Sequence, residues 1–226
     1  NYKNINEYII IKNKMNKKWL IILIVVITHL STLFIYPFIP DHSIDEYNAH
    51  VASRKVISKI LSVYLIPLIL TFSILLFYYL PKIDPLKKNI EKFQTHYEYF
   101  ILMYAFFMLY MYIIMVLRSI GVLFDIDMYI MPAVSILLIY TGFFLQKAKR
   151  NWFIGLRTPW TLTDDKVWEK THEFGGKFFV GSGLISIIGL FFKEYMVFFI
   201  LVPVIVSTVI IFFYSYVIWS KINKKN

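Results

Sequence analysis

His172 and Glu173 stand side by side in a polar stretch, NWFIGLRTPWTLTDDKVWEKTHEFGG, at residues 151–176. Such a pair can ligate a metal or carry a proton, but the metalloprotease arrangement needs a second imidazole one helical turn on, and none follows. Neither a Gly-x-Ser-x-Gly elbow nor a phosphate-binding loop is present, and the five histidines are scattered along the chain, so no catalytic residue is assigned. Haem or quinone chemistry would want paired histidines at matched depth in facing helices. Only His29 lies within an apolar run, and no cofactor is expected.

A second set, Asp41, His42, Asp45, Glu46 and His50, combines oxygen and imidazole ligands suited to a divalent ion. Its spacing fits no recognised metal motif, so it is assigned no metal and reads as a solvated acidic loop. An acidic patch of this kind attracts cationic peptides. With the turn around Arg118, Asp125 and Asp127, it is the exposed candidate for meeting an external ligand directly.

Arg157, Thr158, Pro159 and Trp160 form a compact polar and aromatic cluster, in which Pro159 pushes Thr158 away from helical backbone. Two readings fit it. A planar guanidinium here could clamp a phosphate or carboxylate, or stack on Trp152 or Trp160; alternatively the aromatics sit at headgroup level while Arg157 meets lipid phosphate. Thr163, followed by Asp164 and Asp165, has the form of a hydroxyl N-cap with acids in the first turn. From there Val167, Thr171 and Phe174 share one stripe, with Trp168 and His172 one turn apart beside it. Gly175 and Gly176 then break or hinge the chain. The pattern predicts a short surface helix tethered to a membrane.

The elements that must position these groups are apolar. Of 226 residues, 58% are hydrophobic and 19% aromatic, with a mean hydropathy of +0.62, which places the chain in the membrane class. The chain has no cysteine, so neither disulfides nor thiolate chemistry can contribute. A net charge of +10 suits basic loops on anionic lipid better than nucleic acid, and no direct nucleic-acid contact is expected. Six runs approach the roughly 20 residues that a span requires: 19–38, 60–80, 97–117, 126–145, 174–192 and 196–219. Nineteen Lys and Arg then fall on one side and five on the other, which puts both termini and the polar stretch in the cytoplasm. Residues 1–14 read as an upstream or artificially appended tail, because Met15 opens a basic, then apolar, start.

Within the spans, Thr28 and His29 form a polar pair at membrane depth, for which a neutral imidazole bonded to a neighbouring helix is the simpler reading. Gly181, Ser182, Gly183, Ser186 and Gly189 are small residues at helix-packing spacing, and a flexible binding helix is the sharper alternative. Pro67 and Pro203 are candidate kinks.

The string from Asn151 to Gly176 resembles the characteristic segment of the SdpI family of bacterial membrane proteins, with its Gly-x-Arg-Thr-Pro-Trp-Thr-Leu, Val-Trp and Thr-His before Gly-Gly. YPFIPDHSIDEY and LPKIDPLKKNIEKF are similar to the N-terminal membrane region that often accompanies it, although Ser43 and Ile44 replace the aromatic and Asn usual after the His. The resemblance implies an all-α polytopic bundle of about six spans, with residues 15–95 as the N-terminal region and 96–226 as the SdpI-like region around a cytoplasmic loop at 147–177. It also implies a bacterial cell-membrane immunity protein without enzymatic turnover, protecting against a secreted antimicrobial peptide. Docking of a cytoplasmic transcriptional repressor is implied as well, with Asn151, Gly155, Arg157, Thr158, Pro159, Trp160, Trp168, His172, Gly175 and Gly176 as the partner-binding residues. Anionic lipid is a further expected partner, and a small transporter or exporter is the alternative function.

Overall fold

A computed structural model of the chain describes residues 2–39, 42–44 and 56–224, with side chains for 17–39, 59–61 and 63–224. Asp41, Asp45, Glu46 and His50 lie outside the described residues, and His42 is described in its backbone alone. The expected roles of the acidic loop are therefore not addressed. His42–Ile44 (β1) and Val56–Ser58 (β2) pair antiparallel, with His42 opposite Ser58.

The helices are α1 (Tyr2–Ile35), α2 (Lys59–Ile83), α3 (Lys87–Glu91), α4 (Gln94–Ser119), α5 (Ile126–Leu145), α6 (Asp165–Ile188) and α7 (Met196–Asn223). Six of them are long and apolar enough to cross a membrane. Their exposed faces carry Leu23, Phe34, Leu68, Phe72, Phe198 and Phe213, while Thr28, Thr32, Ser135, Ser182, Ser186 and Ser215 are buried. Apolar outside and small or polar inside is the arrangement that hydrocarbon surroundings favour, because side-chain hydrogen bonds and close packing hold such helices together. This is a multi-pass membrane protein. α1 begins at Tyr2, so helical backbone runs through residues where sequence periodicity predicts none.

The contacts divide the chain into two compact units. One takes Asn1–Leu76 and Ile101–Ile126. Its core is Ile39, Val63, Tyr112 and Val116. The Tyr112 hydroxyl lies 2.9 Å from Ser31 Oγ and 3.0 Å from Thr32 Oγ1, and Tyr104 donates to Ser73 Oγ at 2.9 Å. His29 Nδ1 lies 2.9 Å from the Val25 carbonyl, and its Nε2 comes within 3.5 Å of Thr71 Oγ1 on α2. The imidazole is thus tied mainly to its own helix.

The other unit takes Phe77–Phe100 and Asp127–Asn226. Here the small residues of α6 are contact points rather than hinges. A Cβ on Gly176 would stand 2.5 Å from the Gly142 carbonyl of α5, and one on Gly142 would stand 2.5 Å from the Gly176 carbonyl. Gly183 approaches Ser135 O in the same way, and Ser182 Oγ lies 2.9 Å from Ser207 Oγ on α7. Gly181 differs, with nothing within 4 Å of its Cβ position.

A leucine at Gly176 should overpack the α5–α6 contact and cost about 1–3 kcal/mol. Gly181→Ala should be neutral or stabilise by up to about 1 kcal/mol through helix propensity. Thermal unfolding of the detergent-purified variants measures both, and equal melting temperatures for the two would contradict the packing described.

Candidate functional site

The polar stretch is a loop whose own side chains build it. Asn151 is fully buried; its Oδ1 accepts from Phe153 N at 2.9 Å and Ile154 N at 2.6 Å. Its Nδ2 donates to the Lys149 and Ile154 carbonyls, both at 2.8 Å. All four positions of one amide are used on backbone, which fixes the turn that leaves α5.

The next turn depends on Gly155, whose φ of +120° suits glycine alone. A Cβ there would collide with His172 Nε2. That nitrogen instead accepts from Leu156 N at 2.9 Å, while Nδ1–H donates to the Trp168 carbonyl at 2.9 Å. With one nitrogen accepting and the other donating, the imidazole is the neutral Nδ1–H tautomer. Trp168 stacks on it, ring centroids 4.0 Å apart, and donates Nε1–H to the Ala148 carbonyl at 2.9 Å. Trp168 and His172 are both buried, so they hold the loop on α6 from inside.

Thr158 and Thr161 close the far side. Thr161 Oγ1 accepts from Thr158 N at 2.8 Å and donates to the Leu156 carbonyl at 2.9 Å. Thr158 Oγ1 reaches Ser215 Oγ on α7 at 3.0 Å, and the Trp160 ring meets Phe212 and Tyr216, each at 5.1 Å. The cap of α6 is Asp164, not the expected Thr163: its backbone is extended and its Oδ1 accepts from Lys166 N at 2.7 Å and Val167 N at 2.9 Å. Thr163 spends its hydroxyl on the Trp160 carbonyl at 2.8 Å. The predicted short surface helix is likewise corrected, because α6 continues from Asp165 through both glycines to Ile188. Close packing on Gly142 and Gln146 keeps Gly176 helical.

Residues from outside the stretch complete the site. Asp84, at the end of α2, is buried and accepts from Leu86 N at 2.7 Å and Trp152 N at 2.8 Å. Asn89 Nδ2 donates to the Arg150 carbonyl at 2.9 Å. Arg150 in turn reaches Asp165 Oδ1 at 2.5 Å and the Leu162 carbonyl at 2.8 Å. Sequence reasoning assigns Asp84, Asn89, Arg150 and Thr161 to no site. The usable signal is the Asp-Pro with a following Asn in LPKIDPLKKN, which places two polar anchors just past a span.

Ahead of α6, between 151 and 160, Trp152, Arg157 and Pro159 are exposed; further along the stretch Thr163, Asp165, Lys166, Glu169, Lys170 and Glu173 are exposed as well. Arg157 stacks on neither neighbouring indole; its Nη1–H donates to the Trp152 carbonyl at 2.9 Å. The expected partner-binding residues therefore divide into exposed Arg157 and Pro159, half-buried Trp160 and Gly155, and buried Asn151, Thr158, Trp168, His172, Gly175 and Gly176. No group of three or more His, Asp or Glu side chains converges on a metal-sized site among the described residues.

Asp84→Ala would leave two part-buried N–H groups without this acceptor, at a cost of about 1 kcal/mol each. Asp84→Asn keeps one acceptor oxygen and should lose less. Limited proteolysis within residues 147–164 should rank the variants alanine, asparagine, wild type in order of cleavage rate; an unchanged rate for alanine would remove Asp84 from the loop's support.

No solved structure matches the chain. The SdpI/YfhL protein family matches at residues 147–216, which take in the loop, α6 and most of α7. The chain is 30% identical over 210 residues to the immunity protein SdpI of Bacillus subtilis (strain 168), a match that covers 92% of this chain and 99% of that protein. Identity at this level across nearly the whole of a relative places the chain in the SdpI/YfhL family.

Proposed function

We propose that this protein confers immunity on the membrane that carries it, against a secreted membrane-active peptide. The observation that carries the reading is 30% identity, over 92% of this chain and 99% of the relative, to a protein named for immunity, together with the family match at residues 147–216. The excess of basic residues assigns the loop and both termini to the cytoplasm. A peptide arriving from outside would then meet the spans or the outer loop first, and the cytoplasmic loop serves an internal partner, of which a membrane-docked repressor is one kind. Among the loop's exposed residues, Arg157, Pro159 and Trp152 are the contacts proposed for such a partner. Trp168 and His172 act by holding them in position.

The orientation is open to a direct test, since a chain without cysteine accepts single introduced thiols cleanly. Lys166→Cys and Lys88→Cys should react with a membrane-impermeant maleimide only after permeabilisation, and Lys193→Cys in intact cells.

Immunity itself is read by survival of a sensitive Gram-positive strain that lacks its own protection and expresses this chain. Survival should rise against one peptide class and not against unrelated membrane-active peptides. Arg157→Ala should abolish the protection at normal membrane abundance, whereas Trp168→Ala should lower abundance and protection together. No survival from abundant, correctly inserted protein would overturn the reading.

A further inference from the structure

Beneath the loop lies a cavity of about 310 Å³ whose walls are almost wholly apolar. Phe77 and Leu80 of α2, Tyr97 and Phe100 of α4, Phe144 of α5 and the loop segment 153–156 form most of it. The rings are fixed against one another: Phe100 stacks on Phe144 with centroids 4.6 Å apart, and Phe77 meets Tyr97 edge-on at 6.4 Å. The few polar atoms near it are spent, Tyr97 donating to the Phe77 carbonyl at 2.8 Å and Thr141 to the Leu137 carbonyl at 2.7 Å. Water at about 30 Å³ per molecule would fill the space with roughly ten molecules and offer them few partners. An apolar chain suits it better.

The rim supplies the other half of a ligand. Arg157 donates to the Trp152 carbonyl at 2.9 Å and so closes a loop whose four intervening residues, 153–156, line the cavity. The guanidinium is therefore pinned beside the lining segment, exposed, and its remaining N–H groups have no protein partner among the described residues. Downward the lining reaches Thr141 from Leu145, about 6 Å at 1.5 Å per residue. A cation at the rim above an apolar slot about one helical turn deep matches a phosphate with a hydrocarbon chain beneath it.

We propose that this is a specific site for an anionic phospholipid, the headgroup-proximal methylenes of one acyl chain in the aromatic cavity and its phosphate on Arg157. The site stands whether or not the protein confers immunity.

Native mass spectrometry of the full-length protein in detergent tests it, with dioleoyl phosphatidylglycerol as the probe and dioleoyl phosphatidylcholine as its zwitterionic match. Wild type should retain one phosphatidylglycerol about tenfold more tightly than phosphatidylcholine, a difference of roughly 1.4 kcal/mol. Arg157→Gln should bring the two lipids level. Leu80→Trp, which fills the cavity, should lose both; Thr141→Phe fills it from another helix and replaces Leu80→Trp if that variant lacks wild-type helicity or elutes as aggregate. The proposal fails if wild type holds the two lipids alike, if the filled variants bind as wild type does, or if glycerophosphoglycerol without chains displaces the lipid at equal concentration.

Discussion

A carboxylate removed from water must find donors of its own, and Asp84 finds two in backbone N–H groups 2 and 68 residues away. Everything else in the loop is arranged around that junction. Once Trp152 N is held at the end of α2, Asn151 can turn the chain and Gly155 can bring Leu156 N onto the His172 ring. Asn89, Arg150 and Asp165 extend the same tie from α3 to the first turn of α6. The two exposed ion pairs nearby, Lys149 with Glu169 and Lys177 with Glu173, lie in water and contribute little by comparison.

This places the chemistry of the stretch in an unexpected class. Residues that look like a binding surface, a tryptophan and a histidine one turn apart, are its internal fastenings. Most of its buried polar atoms are satisfied by backbone, as a low-dielectric setting favours, while Thr158 pairs with the Ser215 hydroxyl and Thr171 Oγ1 has no partner among the described residues. The outcome is a platform that exposes the Arg157 guanidinium and the Trp152 indole beside the charged outer face of α6.

How much of this is legible in the sequence follows from the range of each interaction. Trp168 and His172 are separated by four residues, so their juxtaposition is readable from helical spacing alone, and the apolar runs announce the spans. The cap shifts by one residue from its expected place because Thr163 and Asp164 both carry cap oxygens, and only the extended backbone at Asp164 decides between them. A double glycine fits a break and a close contact equally well; the carbonyl of Gly142 on another helix settles it. Asp84 and Trp152 leave no periodic trace at all, being joined only after α4 and α5 have returned the chain to the same end. The acidic loop at 41–50 lies mostly outside the described residues.

The serine seam between α6 and α7 bears on how such a protein is made. Ser182 meets Ser207, Ser186 Oγ lies 3.1 Å from the Phe199 carbonyl, and only the short turns Gly189–Phe191 and Lys193–Tyr195 separate the helices. Both helices are therefore joined by side-chain hydrogen bonds that a lipid environment does not compete for. This hairpin can zip up as it enters the bilayer, and meets the helices made before it as one finished piece.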